Sequence, residues 1–111
     1  MYIYRNMNAR HQILDRIKKS VVATAPGATL VLYGSYARGE NNKESDIDLL
    51  ILLDEDTITW PEEMKITYPL YDIEFETGTL ISPLVLSKKD WEFRHKITPF
   101  YQNVTREGIV L

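Results

Sequence analysis

The chain has 111 residues, enough for one small domain with a modest core. A content of 44% hydrophobic and 26% charged residues is ordinary for a globular protein and does not indicate disorder. The net charge of −3 argues against general nucleic-acid binding, and the absence of cysteine excludes disulfides and thiolate metal sites. The first residues, MYIYRNMNARHQ, lack the apolar core of a signal peptide, and no apolar run approaches the ~20 residues that span a bilayer. We therefore expect a cytoplasmic protein that does not associate with membranes.

The first half of the chain predicts a helix, a strand, a turn and a second strand. A helix is expected from about Asn8 to Ala25, where Pro26 and Gly27 end it. Apolar residues recur along it at helical spacing: Ile13, Leu14, Ile17 and Val21. A strand over Thr29 to Tyr33 then meets the small residues Gly34 and Ser35, which turn the chain into a short helix or loop through Gly39.

A polar loop, GENNKES, separates this turn from the second strand, Ile47 to Leu53. The second strand is an almost continuous run of Leu and Ile, which predicts cover on both faces and a central place in the sheet. Trp60 and Pro61, followed by two acidic residues, are typical of a helix start.

The stretch Leu70 to Thr77 allows two interpretations. Apolar and acidic residues alternate along it, which is typical of a half-exposed strand. The other reading is a helix that begins near Pro69, places Tyr71 and Phe75 four positions apart on one side and ends at Gly78. The periodicity leaves both interpretations open, and the family resemblance described below favours the helix slightly.

A third strand is expected over Leu80 to Leu86, where Pro83 suits an edge strand or a strand end. Ser87 is a predicted N-cap for a helix through about His95, and Thr98 opens a last helix that Gly108 closes. Phe100 and Tyr101 in this last helix are expected either to pack internally or to form a partner surface.

The candidate functional residues lie where the first strand ends and where the second strand begins. Asp46 and Asp48 share one face of a strand, because side chains alternate, so both carboxylates could hold one divalent metal ion. Gly34 allows a phosphate to approach the backbone closely, the Ser35 hydroxyl adds a donor, and Arg38 lies within reach of the same anion.

The spacing G-S-x(10)-D-x-D, with the strings GSYARGE and SDIDLLI, resembles the signature of the DNA polymerase β-like nucleotidyltransferases, and in particular their minimal nucleotidyltransferase (MNT) branch. The resemblance implies a single α/β (α+β) domain over residues 1–111, with a short mixed sheet and helices packed against it. It also implies Mg²⁺ held by Asp46 and Asp48, and a nucleoside triphosphate, ATP in particular, held by Gly34, Ser35 and Arg38. In that branch the reaction moves AMP to a hydroxyl acceptor, and the protein pairs with a HEPN-type toxin as its antitoxin.

One position departs from the family pattern. Active members carry a third carboxylate on the third strand, where the family register places Ser82 in this chain. Serine is neither a strong metal ligand nor a general base at neutral pH. Asp72, Glu74 or Glu76 could supply the acid if their stretch were the strand instead.

Two other functions compete with the antitoxin enzyme. One is a weak or inactive module that binds nucleotide or protein, which Ser82 favours; the other is a small-molecule nucleotidyltransferase of the aminoglycoside type. The small size of the chain favours work in an assembly, with a HEPN-type partner or as a homodimer.

Overall fold

The computed structural model describes residues 2–40 and 45–111, with side chains from residue 11 onward. Its elements follow the chain as a series of helices and strands: α1 (Tyr2–Thr24), β1 (Thr29–Tyr33), α2 (Ser35–Arg38), β2 (Ile47–Leu53), α3 (Trp60–Thr77), β3 (Ile81–Ser87), α4 (Lys88–Phe93), α5 (Pro99–Glu107) and β4 (Ile109–Val110). Residues 41–44 of the expected polar loop lie outside the described residues.

The four strands form one mixed sheet in the order β3-β2-β1-β4. β1 is antiparallel to both β2 and β4, whereas β2 and β3 run parallel. The central place of β2 confirms the expectation from its apolar run, because residues 49 to 51 are fully buried. Pro83 lies on β3, whose only partner among the described strands is β2, so it costs the sheet no ladder hydrogen bond on its open side.

The sheet is covered on both faces. Alternate strand residues, among them Leu32, Leu49 and Ile51, pack under α1 and α3 in the larger core cluster. Residues of opposite parity, among them Leu50 and Leu52, pack with Trp91 and Val104 from the two C-terminal helices. The fold is therefore the mixed α/β architecture that the sequence predicts.

Helix α3 decides between the two interpretations of Leu70 to Thr77 in favour of the helix. Thr59 caps its start by accepting a hydrogen bond from the Glu62 amide, and Gly78 ends it with φ = 74°. The helix does not begin near Pro69 as expected, because it starts at Trp60 and continues through Pro69. Ile66, Leu70 and Ile73 are buried along its inner side on both sides of the proline. The alternation of apolar and acidic residues does not mark a strand here, because α3 is an amphipathic helix. Its buried residues recur at a spacing of three to four.

The remaining boundaries agree within a few residues, with three differences. Helix α1 begins at Tyr2, earlier than the expected Asn8, and α4 ends at Phe93, before His95. The short strand β4 was not expected, because a two-residue strand has no detectable periodicity. No helix in residues 2–40 or 45–111 is long and apolar enough to cross a membrane.

The C-terminal aromatics pack inside the chain. Phe100 meets the rings of Tyr33 and Trp91 edge to face, with centroids 5.3 and 5.7 Å away, and Tyr101 lies 4.7 Å from Trp91. The Tyr101 hydroxyl also donates a hydrogen bond to Glu92. These ring contacts confirm that the two half-buried residues pack internally, and the partner surface expected for them stays a prediction.

Candidate active site

The paired aspartates lie at the start of β2, on the sheet face that the C-terminal helices cover. Asp48 is paired in register with Tyr33 of β1 on one side and with Ser82 of β3 on the other. Asp46 precedes the strand and accepts a hydrogen bond from the Ser82 hydroxyl at 3.3 Å. Both aspartates are half-buried, while Ser82 is exposed. The two carboxylates therefore share one rim of the sheet, as the alternation of side chains predicts.

Gly34 brings the turn after β1 directly against this rim. Its φ of 75° lies in the region that favours glycine, and a Cβ at this position would clash with the Asp48 carboxylate. The turn continues into α2, whose amide at Arg38 donates back to the Gly34 carbonyl at 3.1 Å. Ser35, half-buried, opens this helix. The structure thus brings Gly34 and Asp48, fourteen positions apart in the sequence, into contact.

Arg38 stands at the end of α2 between two carboxylates. Its Nε donates to Glu40 at 2.6 Å, and its Nη1 donates to Glu107 at the end of α5 at 3.2 Å. These partners raise the pKa of the guanidinium further above its ordinary value, and the hydrogen bond that Arg38 donates to Glu40 is the largest cause. Arg38 is also close enough to Asp48 for its charge to act on that carboxylate.

The electrostatics of the rim favour a cation. Burial raises the pKa of Asp48 above its ordinary value, the negative charge of Asp46 raises it further, and only the charge of Arg38 opposes the two. Burial, followed by the charge of Asp48, also raises the pKa of Tyr33. A positive ion between the carboxylates would offset this repulsion.

Among the side chains that the structure describes, no third acid lies beside the pair, in agreement with Ser82 at the position that the family register gives. Ser82 occupies the position opposite Asp48, and the alternative acids lie on α3 with other partners. Glu74 accepts a hydrogen bond from the Ile81 amide, and Glu76 forms an ion pair with Arg16. Among residues 11–40 and 45–111, no three carboxylate, histidine or cysteine side chains converge on one point.

The sequence reasoning missed the contributions of α5 and β1 to this site. Tyr33 is paired with Asp48 across the sheet. Glu107, which follows Arg38 by 69 positions in the sequence, accepts a hydrogen bond from it. The position of Tyr33 directly before Gly34 was a usable signal, because the last residue of a strand lies beside the turn. Nothing local in the sequence points from Glu107 to Arg38.

Two pockets differ in their relation to the rim. The larger, about 560 Å³, lies at the opposite end of the parallel strands, where Ser87 and Trp60 line it. A smaller pocket of about 160 Å³ adjoins the turn and is lined by Tyr33, Gly34, Arg38, Phe100, Asn103, Val104 and Glu107. Its volume is below the ~300 Å³ of small-molecule sites, so it suits a group such as a phosphate and not a whole nucleotide.

The mixed sheet, with a glycine turn and paired carboxylates at one rim, is the architecture of a nucleotidyltransferase. A family model described as a nucleotidyltransferase domain matches residues 14–102, and the chain belongs to this family.

Its relatives are consistent with this membership. Two putative protein adenylyltransferases of Methanocaldococcus jannaschii are similar to the chain. One is 41% identical over 59 residues, which is 53% of this chain and 59% of that protein. The other is 37% identical over 86 residues, which is 74% of this chain and 75% of that protein. The chain thus spans less than two thirds of the first relative's length.

A solved structure described as a toxin-antitoxin with AMP-PNP shares the fold. The TM-score is 0.62 with 23% identity, and the match covers 86% of this chain and 69% of that one. At this identity the likeness concerns the fold.

Proposed function

We propose that the protein transfers a nucleoside monophosphate, AMP from ATP, to a hydroxyl acceptor in a reaction that depends on Mg²⁺. The contact between the Gly34 turn and the Asp48 carboxylate carries this proposal, because it puts an anion-binding turn beside a cation-binding pair. Membership of the nucleotidyltransferase family and likeness to protein adenylyltransferases support the reaction class.

The residues present fit the metal. Mg²⁺ prefers oxygen ligands, and one or two protein carboxylates with substrate phosphates commonly suffice. Asp46 and Asp48 supply that pair, and the raised pKa of Asp48 marks a repulsion that a cation would relieve. When bound there, the metal would offset the charge that develops on the phosphates during transfer.

The reaction forms one bond and breaks one. The acceptor oxygen attacks the α-phosphorus of ATP, a new P–O ester bond forms, and the bond from that phosphorus to the bridging oxygen breaks. Pyrophosphate leaves with the bond electrons, and the hydroxyl proton passes to solvent, because no third carboxylate in residues 11–40 or 45–111 faces the pair. In this step Gly34 and Ser35 hold the terminal phosphates through backbone and hydroxyl donors, and Arg38 adds a charged donor.

The acceptor is proposed to be a hydroxyl on a partner protein. Two relatives are described as putative protein adenylyltransferases, and the structural neighbour is described as a toxin-antitoxin, which together support a toxin as that partner. By the family resemblance this toxin is of the HEPN type.

A non-catalytic nucleotide-binding module is the second candidate. Ser82 favours it, because a hydroxyl that donates to Asp46 takes the place of the third acid. Turnover and binding are separable by experiment.

The test uses ATP labelled on the α-phosphate, Mg²⁺ and any co-encoded neighbour, with label on protein as the readout. We expect labelling by the wild type and a loss of about a hundredfold or more in Asp48→Asn, on the scale of removing a major catalytic group. Asp72→Asn, which removes the same charge from an exposed site on α3, is the matched control and should label normally. Binding of ATP without any labelling would favour the second candidate, and no binding at all would refute both.

A further inference from the structure

We infer that Glu107 is a positioning residue that holds Arg38 ready for the triphosphate. This inference rests on the proposed function, in which Arg38 binds phosphate. It makes the C-terminal helix α5 part of the nucleotide site, although α5 follows the whole of the G-S and D-x-D signature in the chain.

The hydrogen bonds of Arg38 are the first observation. Glu40 accepts from Nε and Glu107 from Nη1, at 2.6 and 3.2 Å. Within residues 11–40 and 45–111, Nη2 has no hydrogen bond or ion pair that competes with an incoming anion. A guanidinium has five N–H donors in a planar fork, so two carboxylates can fix its plane and still leave donors for a phosphate. The arrangement therefore orients Arg38 without saturating it.

Glu107 itself is firmly placed. It is the last residue of α5, its side chain is only 28% exposed, and Arg106 contacts its other oxygen at 3.5 Å. The next residue, Gly108, lies so close to β1 that a Cβ there would stand 2.7 Å from Val31 Cγ1. The close approach is possible only because Gly108 has no side chain.

Beyond Gly108, β4 pairs with β1 through Val31 and Leu32. Arg38 follows the same strand by a few residues through the turn at Gly34. Both partners of the ion pair are thus anchored on β1, which fixes their separation. The small pocket beside Gly34 lies between them, lined by both residues.

The ion pair is partly exposed, since the Arg38 side chain is 42% accessible. Partly exposed ion pairs contribute little stability, so we expect Glu107 to have a modest effect on nucleotide affinity. Whether Glu107 acts by positioning Arg38 therefore needs a direct test. A double-mutant cycle does this, because it isolates the coupling between two residues from the general effects of either substitution.

The test measures the affinity of the purified chain for a non-hydrolysable ATP analogue with Mg²⁺ by calorimetry. Glu107→Gln keeps the shape of the side chain and should weaken binding about two- to fivefold, as loss of one partly exposed ion pair predicts. Arg38→Ala should weaken it about tenfold or more. In the Arg38→Ala background, Glu107→Gln should have no further effect.

Glu92→Gln is the matched control, because Glu92 is also a carboxylate on the C-terminal helices. It accepts a hydrogen bond from Tyr101 and not from Arg38. It should bind like the wild type, and thermal melts should show all variants folded. Unchanged or tighter binding by Glu107→Gln, or an equal loss in the Arg38→Ala background, would overturn the positioning role. A wild type that binds no nucleotide would instead refute the proposed function on which it rests.

Discussion

Replacing Asp48 by asparagine should make the protein more stable while it removes metal-dependent nucleotide binding. In the folded chain burial disfavours the Asp48 carboxylate, and the charge of Asp46 adds to this effect. An amide has nearly the same shape, carries no charge and needs no cation. The Asp48 carboxylate therefore carries a cost in stability that Arg38 offsets in part and that the proposed metal would offset further.

The size of the effect follows from the strand geometry. Side chains two residues apart on a strand are separated by about 6.5 Å, which gives a repulsion of about 0.6 kcal/mol in water and about 2.6 kcal/mol at an effective dielectric constant of 20. Both carboxylates are partly exposed and Arg38 offsets part of the repulsion, so we expect a gain near the lower value, about 1 kcal/mol. For a domain of this size that corresponds to a rise of about 3 to 5 °C in Tm.

The pH dependence has a defined sign. The pKa of Asp48 is raised in the folded chain above the ordinary 3.8, so the folded state binds this proton more tightly than the unfolded state. Wild-type stability from this group is therefore greatest below pH ~4 and falls as the pH rises through the folded pKa. The advantage of Asp48→Asn should be present at neutral pH and shrink towards pH 4.

Thermal melts at neutral and acidic pH, each with and without Mg²⁺ and ATP, measure both parts of this prediction. The wild type should gain stability when metal and nucleotide are added together, because they bind only the folded state, and the variant should not. A variant that is less stable than the wild type at neutral pH, or that is stabilised by Mg²⁺ and ATP to the same extent, would refute the assignment of Asp48 to a metal site.

Three further substitutions test the site and its support. Gly34→Ala should abolish nucleotide binding in calorimetry and lower the melting temperature, since its Cβ meets Asp48; normal binding would show that the close approach is not required. Ser82→Asp should tighten Mg²⁺ binding and raise any label transfer, because it restores an acid opposite the pair; lower metal affinity would place the third acid elsewhere. Phe100→Ala should destabilise the chain by about 2 kcal/mol in urea melts through the loss of packing around Tyr33, and an unchanged midpoint would return Phe100 to the role of a partner contact.

Local patterns in the chain predict the geometry of the rim around Gly34, Asp46 and Asp48. The apolar run of β2, the small residues after β1 and the alternation that puts Asp46 and Asp48 on one side are all properties of a few consecutive residues. Such features depend on backbone periodicity and on turn chemistry, which are local. The register that places Ser82 opposite Asp48 came from the family resemblance, and strand pairing agrees with it.

Other features required the packed fold. The stretch Leu70 to Thr77 fits both a strand and a helix, and the choice depends on which residues find a core to pack against. The ring contact between Phe100 and Tyr33 and the ion pair between Arg38 and Glu107 join segments more than sixty positions apart. No periodicity encodes these contacts, because they arise from the way α5 crosses the sheet and ends against β1.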